Sequence, residues 1–156
     1  LLDHVIKPLA TTQVVLRIPR VYGPEDSVSN YGPSQFLHLS RQKKRIGLWG
    51  DGLELRHFLF VEDLINAVIE ILNKPKLEGV FNLAPNQTST FLEVAYLAKE
   101  LTKSSKTLIH KNRDRPKVNH VMNTSLWKKK FPNFDFTSLQ DGMKRTLSCG
   151  ESKYTL

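Results

Sequence analysis

Cysteine is almost lacking from these 156 residues: Cys149 is the only one. A lone cysteine forms no internal disulfide and offers no thiolate set for a structural zinc site. The five histidines (His4, His38, His57, His110 and His120) show no metal-ligand spacing, and no metal is expected. No apolar run approaches the roughly 18 residues that span a bilayer, and residues 1–20 lack a signal-peptide layout. A cytoplasmic protein with no membrane partner is therefore expected. The nucleophile elbow Gly-x-Ser-x-Gly is absent. The initiating Met is absent too, since position 1 is Leu, and the chain is expected to begin partway through a gene product.

Apolar residues make up 40% of the chain and charged residues 24%, a composition that excludes wholesale disorder and fits one domain or part of one. The formal charge is +8, and residues 99–130 carry all of it. Such a segment is read as a solvated face, or alternatively as a binding surface for an anionic ligand or a protein partner. Nucleic acid is not expected, because no basic helix, finger spacing or aromatic-studded sheet motif accompanies the charge.

Periodicity yields an alternating α/β order. Residues 1–9 read as the end of a helix, and 12–18 (TQVVLRI) as a strand covered on both faces, as in a parallel sheet. A Gly-, Pro-, Asn- and Ser-rich loop fills 21–33, and a helix follows to about Lys43. Residues 46–50 and 54–60 read as a hairpin joined through Asp51-Gly52. A helix over 61–73 places Leu64, Ala67, Val68, Ile71 and Leu72 on one face. Residues 80–83 form a second parallel-type strand, Thr90-x-x-Glu93 is a capping box opening a helix to about Leu101, and 107–110 is a further strand. Short helices are predicted near 124–131 and 137–147. Two parallel-type strands are too few for a doubly wound sheet, so further strands are expected on the N-terminal side.

Five motifs stand in order. They are Leu16-Arg17-Ile18-Pro19-Arg20-Val21-Tyr22-Gly23-Pro24, Leu48-Trp49-Gly50-Asp51-Gly52, Arg56-His57-Phe58-Leu59-Phe60-Val61-Glu62-Asp63, Val80-Phe81-Asn82-Leu83-Ala84, and Arg115-Pro116. Together, over about residues 5–147, they resemble the C-terminal half of the extended short-chain dehydrogenase/reductases, the NAD-dependent nucleotide-sugar epimerases and dehydratases. The resemblance implies an α/β chain. It would hold the C-terminal part of a Rossmann-type doubly wound fold plus the smaller substrate-binding lobe, all of 1–156 belonging to one such domain, with the N-terminal NAD-binding portion missing. It implies NAD or NADP as cofactor, a nucleotide-diphosphate sugar as ligand and a homodimer for the full-length protein.

The same resemblance assigns residues. Arg56 and Arg115 would grip the diphosphate, a task that suits planar guanidinium forks better than point-charged lysine; Arg56 reads alternatively as a cross-strand ion pair. Trp49 would pack on the base, or simply fill the hairpin, while Gly47 and Leu48 would offer backbone groups to the base edge. Phe36 and Leu37 would wall the pocket or belong to the core. Arg20 stands where the family often has a substrate-contacting Asn, and Ile18 and Pro19 would meet the nicotinamide end of the cofactor. Asp63 reads as a helix N-terminal charge or a structural acceptor.

Catalytic residues are not assigned. The family's glycine-rich fingerprint is not found: Gly50-x-Gly52 is followed three positions on by Leu55. Its Tyr-x-x-x-Lys pair is not found either, since Tyr31 is followed by Gln35. By itself the chain is expected to be inactive.

Overall fold

A computed structural model describes residues 12–26 and 31–149. The expected helix over 1–9 and part of the 21–33 loop lie outside these residues. The elements in chain order are β1 (Val14–Arg17), β2 (Arg20–Tyr22), α1 (Pro33–Arg41), β3 (Gly47–Trp49), β4 (Leu55–Arg56), β5 (Phe58–Phe60), α2 (Val61–Leu72), β6 (Gly79–Asn82), β7 (Ser89–Thr90), α3 (Phe91–Leu101), β8 (Ile109–Lys111), α4 (Ser125–Lys130) and α5 (Leu139–Cys149).

The two parallel-type strands find each other. β1 pairs with β6 in parallel, Val14 opposite Gly79 and Arg17 opposite Asn82. β2 pairs in parallel with β5, β3 in parallel with β8, and β4 antiparallel with β7. β1 is not covered on both faces: Val14, Val15 and Leu16 are half-buried, Arg17 is exposed, and Ile18 just beyond is 44% exposed. Among the described residues only one of its edges is paired.

The predicted hairpin does not form. The Asp51-Gly52 turn itself is present: Gly50 and Gly52 take φ values of 60° and 71°, left-handed conformations that glycine adopts without a Cβ penalty. Gly52 N–H donates to the Trp49 carbonyl at 3.3 Å, and Leu53 N–H donates to Asp51 Oδ1 at 3.0 Å. Beyond the turn the chain departs from β3. The run 54–60 breaks at His57, whose buried ring meets the Gln87 carbonyl at Nδ1 and accepts the Met122 N–H at Nε2. Distant strands β7, β8 and β2 then take the pairing that the local signal had given to the hairpin arms.

Two cores result, and β5 divides them. Its side chains alternate with period two: Phe58 and Phe60 face a cluster with Tyr22, Phe36, Leu48, Phe91 and Met143, whereas Leu59 faces a cluster with Ala67, Phe81, Trp127 and Phe131. The capping box at the start of α3 is present, with Glu93 N–H donating to Thr90 Oγ1 at 3.1 Å and Thr90 N–H donating to Glu93 Oε2 at 2.7 Å. On α2, Ala67 is buried and Leu64 and Ile71 are half-buried, as the periodicity predicts. Val68 (41% exposed) and Leu72 (73%) instead share an open stripe with Ile65 and Ile69. Among the described residues no helix is long and apolar enough to cross a membrane.

Candidate functional site

Arg56, the leading candidate from the sequence, lies where β4 passes the turn after β3. Arg56 Nη1 donates to its neighbour's carbonyl, Leu55 O, at 2.8 Å and to Val118 O at 2.6 Å. Its guanidinium carbon lies 5.6 Å from the Phe91 ring centroid, a cation–π contact. The Arg56 guanidinium lies below its ordinary pKa, chiefly because it is partly desolvated. The nearby Glu54 charge opposes that shift, and the charges of Arg20 and Arg113 add to it. Arg20, on β2 opposite Phe58, lays its side chain over Gly32, where a Cβ would come within 3.0 Å of its Cδ.

Glu54 is buried. Its Oε1 pairs with Arg113 Nη2 at 2.6 Å, and the same nitrogen donates to the Trp49 carbonyl at 2.8 Å. Asp51 Oδ1 is 3.6 Å from it. Lys117 Nζ holds Asp51 Oδ2 at 3.0 Å. The loop after β8 is thereby strapped to the β3–β4 turn. Leu55 N–H donates to Asn119 Oδ1 and His120 N–H to Leu55 O, both at 3.0 Å, so the strap continues along β4. The basic 99–130 segment is thus not one surface: Lys111, Arg113 and Lys117 turn onto Trp49, Glu54 and Asp51, while Lys128, Lys129 and Lys130 occupy the last turn of α4, where cations suit the helix dipole.

The assigned residues divide accordingly. Arg56 and Arg20 lie near each other, as their shared electrostatics record. Trp49 is 44% exposed, with Lys111 Nζ 5.1 Å from its ring centroid. Its exposure follows from strand alternation, since its neighbour Leu48 points into the core and is fully buried. Gly47 packs against the Lys111 side chain, whose end a Cβ at this position would displace. Phe36 and Leu37 are core residues. Arg115 is exposed, and the charges that act on Arg56 are those of Glu54, Arg20 and Arg113. Glu54 and Arg113 were not singled out from sequence. Glu54 had one legible signal: in an extended chain, residues two apart share a face, so Glu54 and Arg56 belong together.

Tyr31, the partial mimic of the family's catalytic tyrosine, has its hydroxyl accepting the Trp49 N–H at 3.1 Å and its ring against Phe36 and Phe91. Burial raises its pKa, so the phenol stays protonated at neutral pH. Tyr31 fixes the end of β3. Arg20, Tyr22, Gly23, Pro24 and Val61 line a cavity of about 650 Å³ at the carboxyl end of β1 and β2. A smaller one, about 320 Å³, lies against Phe58, Ser89 and Thr137. Among the described residues no three His, Cys, Asp or Glu side chains are grouped to hold a metal.

Three comparisons place this geometry among known proteins. The chain is 30% identical over 101 residues to dTDP-L-rhamnose 4-epimerase of Burkholderia thailandensis, covering 60% of this chain and 28% of the relative. It is 37% identical over 98 residues to ADP-L-glycero-D-manno-heptose-6-epimerase of Pseudomonas aeruginosa, covering 56% and 30%. The solved UDP-glucose 4-epimerase of Thermotoga maritima with UDP-glucose superposes with a TM-score of 0.79 at 25% identity, covering 90% of this chain and 46% of that one. The dTDP-glucose 4,6-dehydratase of Bacillus anthracis in complex with NAD shares the fold, with a TM-score of 0.77 at 24% identity over 89% and 44% of the two chains. The chain therefore spans less than half the length of these relatives. Residues 6–84 match the NAD dependent epimerase/dehydratase family, half of the chain, and four of the five ordered motifs fall wholly within them. The chain belongs to the NAD-dependent epimerase/dehydratase family.

Proposed function

We propose that this chain is the nucleotide-sugar-binding part of an NAD(P)-dependent sugar epimerase, dehydratase or reductase. It would be the C-terminal part of the doubly wound fold with the substrate lobe, the glycine-rich loop and the Tyr-x-x-x-Lys pair being supplied by residues that precede it. What carries the reading is Arg56. It is a half-buried guanidinium braced by two backbone carbonyls and the Phe91 ring, so the side chain is held in place without a carboxylate at ion-pair distance among the described residues. Arginine so prepared suits a diphosphate, to which it offers a planar fork. Arg115 on the neighbouring loop would be a second diphosphate contact. Exposed Trp49 offers a face to the base, with backbone groups of Gly47 and Leu48 at its edge. Arg20 would stand toward the sugar.

For the cofactor, this chain's residues fit one end only. Exposed Ile18 and half-buried Pro19, at the carboxyl end of β1 beside the larger cavity, offer apolar contact of the kind a nicotinamide ring takes. Gly50 and Gly52 do not form a phosphate cradle, because their turn leads into strand β4 and not into a helix N-terminus. NAD(P), when bound, supplies acceptance and return of a hydride at a sugar carbon. The residues described here bind and orient the sugar nucleotide; they hold no catalytic pair, and the chain alone is inactive on this reading. The reading also carries a cytoplasmic homodimer.

Calorimetric titration with UDP-, GDP-, ADP- and dTDP-glucose tests it. At least one should bind, and Arg56→Ala should weaken it about tenfold or more, because a hydrogen bond to a charged group contributes about 1.5–3 kcal/mol. Equal affinity in the wild type and Arg56→Ala would sink the reading.

A further inference from the structure

We propose that the buried imidazole of His57 positions Arg56, by tying together the two segments that brace its guanidinium. The inference rests on the reading of Arg56 as a ligand contact. It gives a role to a side chain to which the family resemblance assigns none.

Arg56 is braced from two sides. Its Nη1 donates to Val118 O at 2.6 Å, and the Phe91 ring centroid lies 5.6 Å from its guanidinium carbon. The first brace belongs to the segment 118–122; the second opens α3, directly after the stretch 85–90. His57, next to Arg56 in the chain and 3% exposed, reaches both segments with its ring. Nε2 lies 3.0 Å from the Met122 nitrogen, and Nδ1 lies 3.2 Å from the Gln87 carbonyl oxygen. Each bond has one possible sense, because an amide N–H can only donate and a carbonyl oxygen can only accept. Nε2 is therefore the bare acceptor, Nδ1 carries the proton, and the imidazole is neutral.

The two bonds close a frame around Arg56. Leu55 N–H donates to Asn119 Oδ1 and His120 N–H to Leu55 O, so the segment 118–122 follows residues 55–57 and ends on the His57 ring. On the other side Arg56 faces Ser89 across the β4–β7 pair, two residues beyond Gln87. Thr124 Oγ1 also joins these two stretches, donating to Asn86 Oδ1 at 3.3 Å, but through exposed side chains. Losing the acceptor at Nε2 leaves the Met122 N–H unpaired and releases the segment that carries Val118. Arg56 must then be ordered afresh when a ligand binds, which weakens affinity. His57 is a positioning residue: it acts through Val118 and Phe91.

The test has two parts. In the wild-type chain, long-range proton–nitrogen NMR correlations of the His57 ring should show the proton on Nδ1 and Nε2 bare; a proton on Nε2 overturns the inference. Calorimetric titration with UDP-, GDP-, ADP- and dTDP-glucose then compares wild type, His57→Phe, His57→Gln, Arg56→Ala and the Arg56→Ala/His57→Phe double variant, each shown by circular dichroism to be folded. His57→Phe fills the space without either bond and should weaken binding about three- to tenfold, the factor for ordering one long side chain. If it does not fold, His57→Asn, which keeps the donor toward Gln87 but falls short of Met122, takes its place with the same expectation. His57→Gln, whose amide oxygen reaches the place of Nε2 and accepts the Met122 N–H, should bind within about twofold of wild type. The double variant should bind no more weakly than Arg56→Ala, the non-additivity expected when one residue acts through the other. Wild-type affinity in His57→Phe beside a loss in Arg56→Ala overturns the inference and leaves the reading of Arg56 standing. Equal losses in His57→Phe and His57→Gln overturn the role of Nε2, and additive losses in the double variant overturn action through Arg56. No binding by wild type, or no loss in Arg56→Ala, overturns the reading on which the inference rests.

Discussion

Asp63, on the first turn of α2, accepts two hydrogen bonds from Thr137, 74 positions away: the backbone N–H to Oδ2 at 2.9 Å and the hydroxyl to Oδ1 at 2.8 Å. The pair fastens the approach to α5 onto the start of α2. A hydrogen-bonded pair that joins two elements in this way contributes to stability.

Removing that acceptor should be expensive. Asp63→Ala leaves the Thr137 N–H without its partner and is expected to cost about 1–3 kcal/mol in urea unfolding. Asp63→Asn, which keeps one carbonyl acceptor, should cost less. The pH dependence has a definite sign. Burial raises the Asp63 pKa above 3.8, against the lowering effect of the Thr137 bonds. The folded state therefore holds this proton more tightly than the unfolded one. Stability contributed by the group falls as pH climbs from 3.8 through the raised folded value, and is level above it. Urea midpoints of wild type relative to Asp63→Asn should decline across that window; a rise would contradict the assignment.

Tyr22 and Gly142 fit face to face. A Cβ on Gly142 would collide with the Tyr22 hydroxyl and come within 3.2 Å of the Phe60 ring. Gly142→Ala should therefore destabilise by about 1–3 kcal/mol through overpacking. That outweighs the roughly 0.5–1 kcal/mol which alanine brings to a helix interior. Thermal unfolding reads the sign directly. Because burial, with help from Asp63 and Asp141, raises the Tyr22 pKa, its phenol should stay protonated in alkaline spectrophotometric titration after solvent-exposed tyrosines have ionised.

The capping box gives a third outcome. Thr90→Ala removes the acceptor for Glu93 N–H and should cost about 1 kcal/mol, within the range of about 0.5–2 for lost N-caps, in urea unfolding.

On α2, Leu72→Gln should change stability by no more than about 0.5 kcal/mol, as for surface substitutions generally. Phe81→Ala, in the second core, should cost about 3–5 kcal/mol. Similar losses for the two in urea unfolding would mean that Leu72 is covered after all.

These cases also mark what could be read from the chain. The α2 and α3 helices, the capping box, and the β1 and β6 strands follow from signals within about a dozen residues, where apolar spacing and side-chain-to-backbone bonds act locally. The same locality misled at Asp51-Gly52, whose turn is real although its flanking strands pair elsewhere. On α2 two apolar stripes compete, and spacing alone does not say which of Ile71 and Leu72 meets the core.

Residue order thus established the α/β class and the family resemblance, and it singled out Arg56 as the leading candidate for ligand binding, because each resides in short contiguous motifs. Folding settled which strands pair, which α2 stripe is covered, and that Arg113 rather than Arg115 lies against Glu54 near Arg56. Those outcomes rest on contacts between residues some sixty positions apart, such as Arg113 with Trp49 and Arg56 with Val118. Burial and charge pairing across such separations depend on how the elements pack, and no local pattern encodes them.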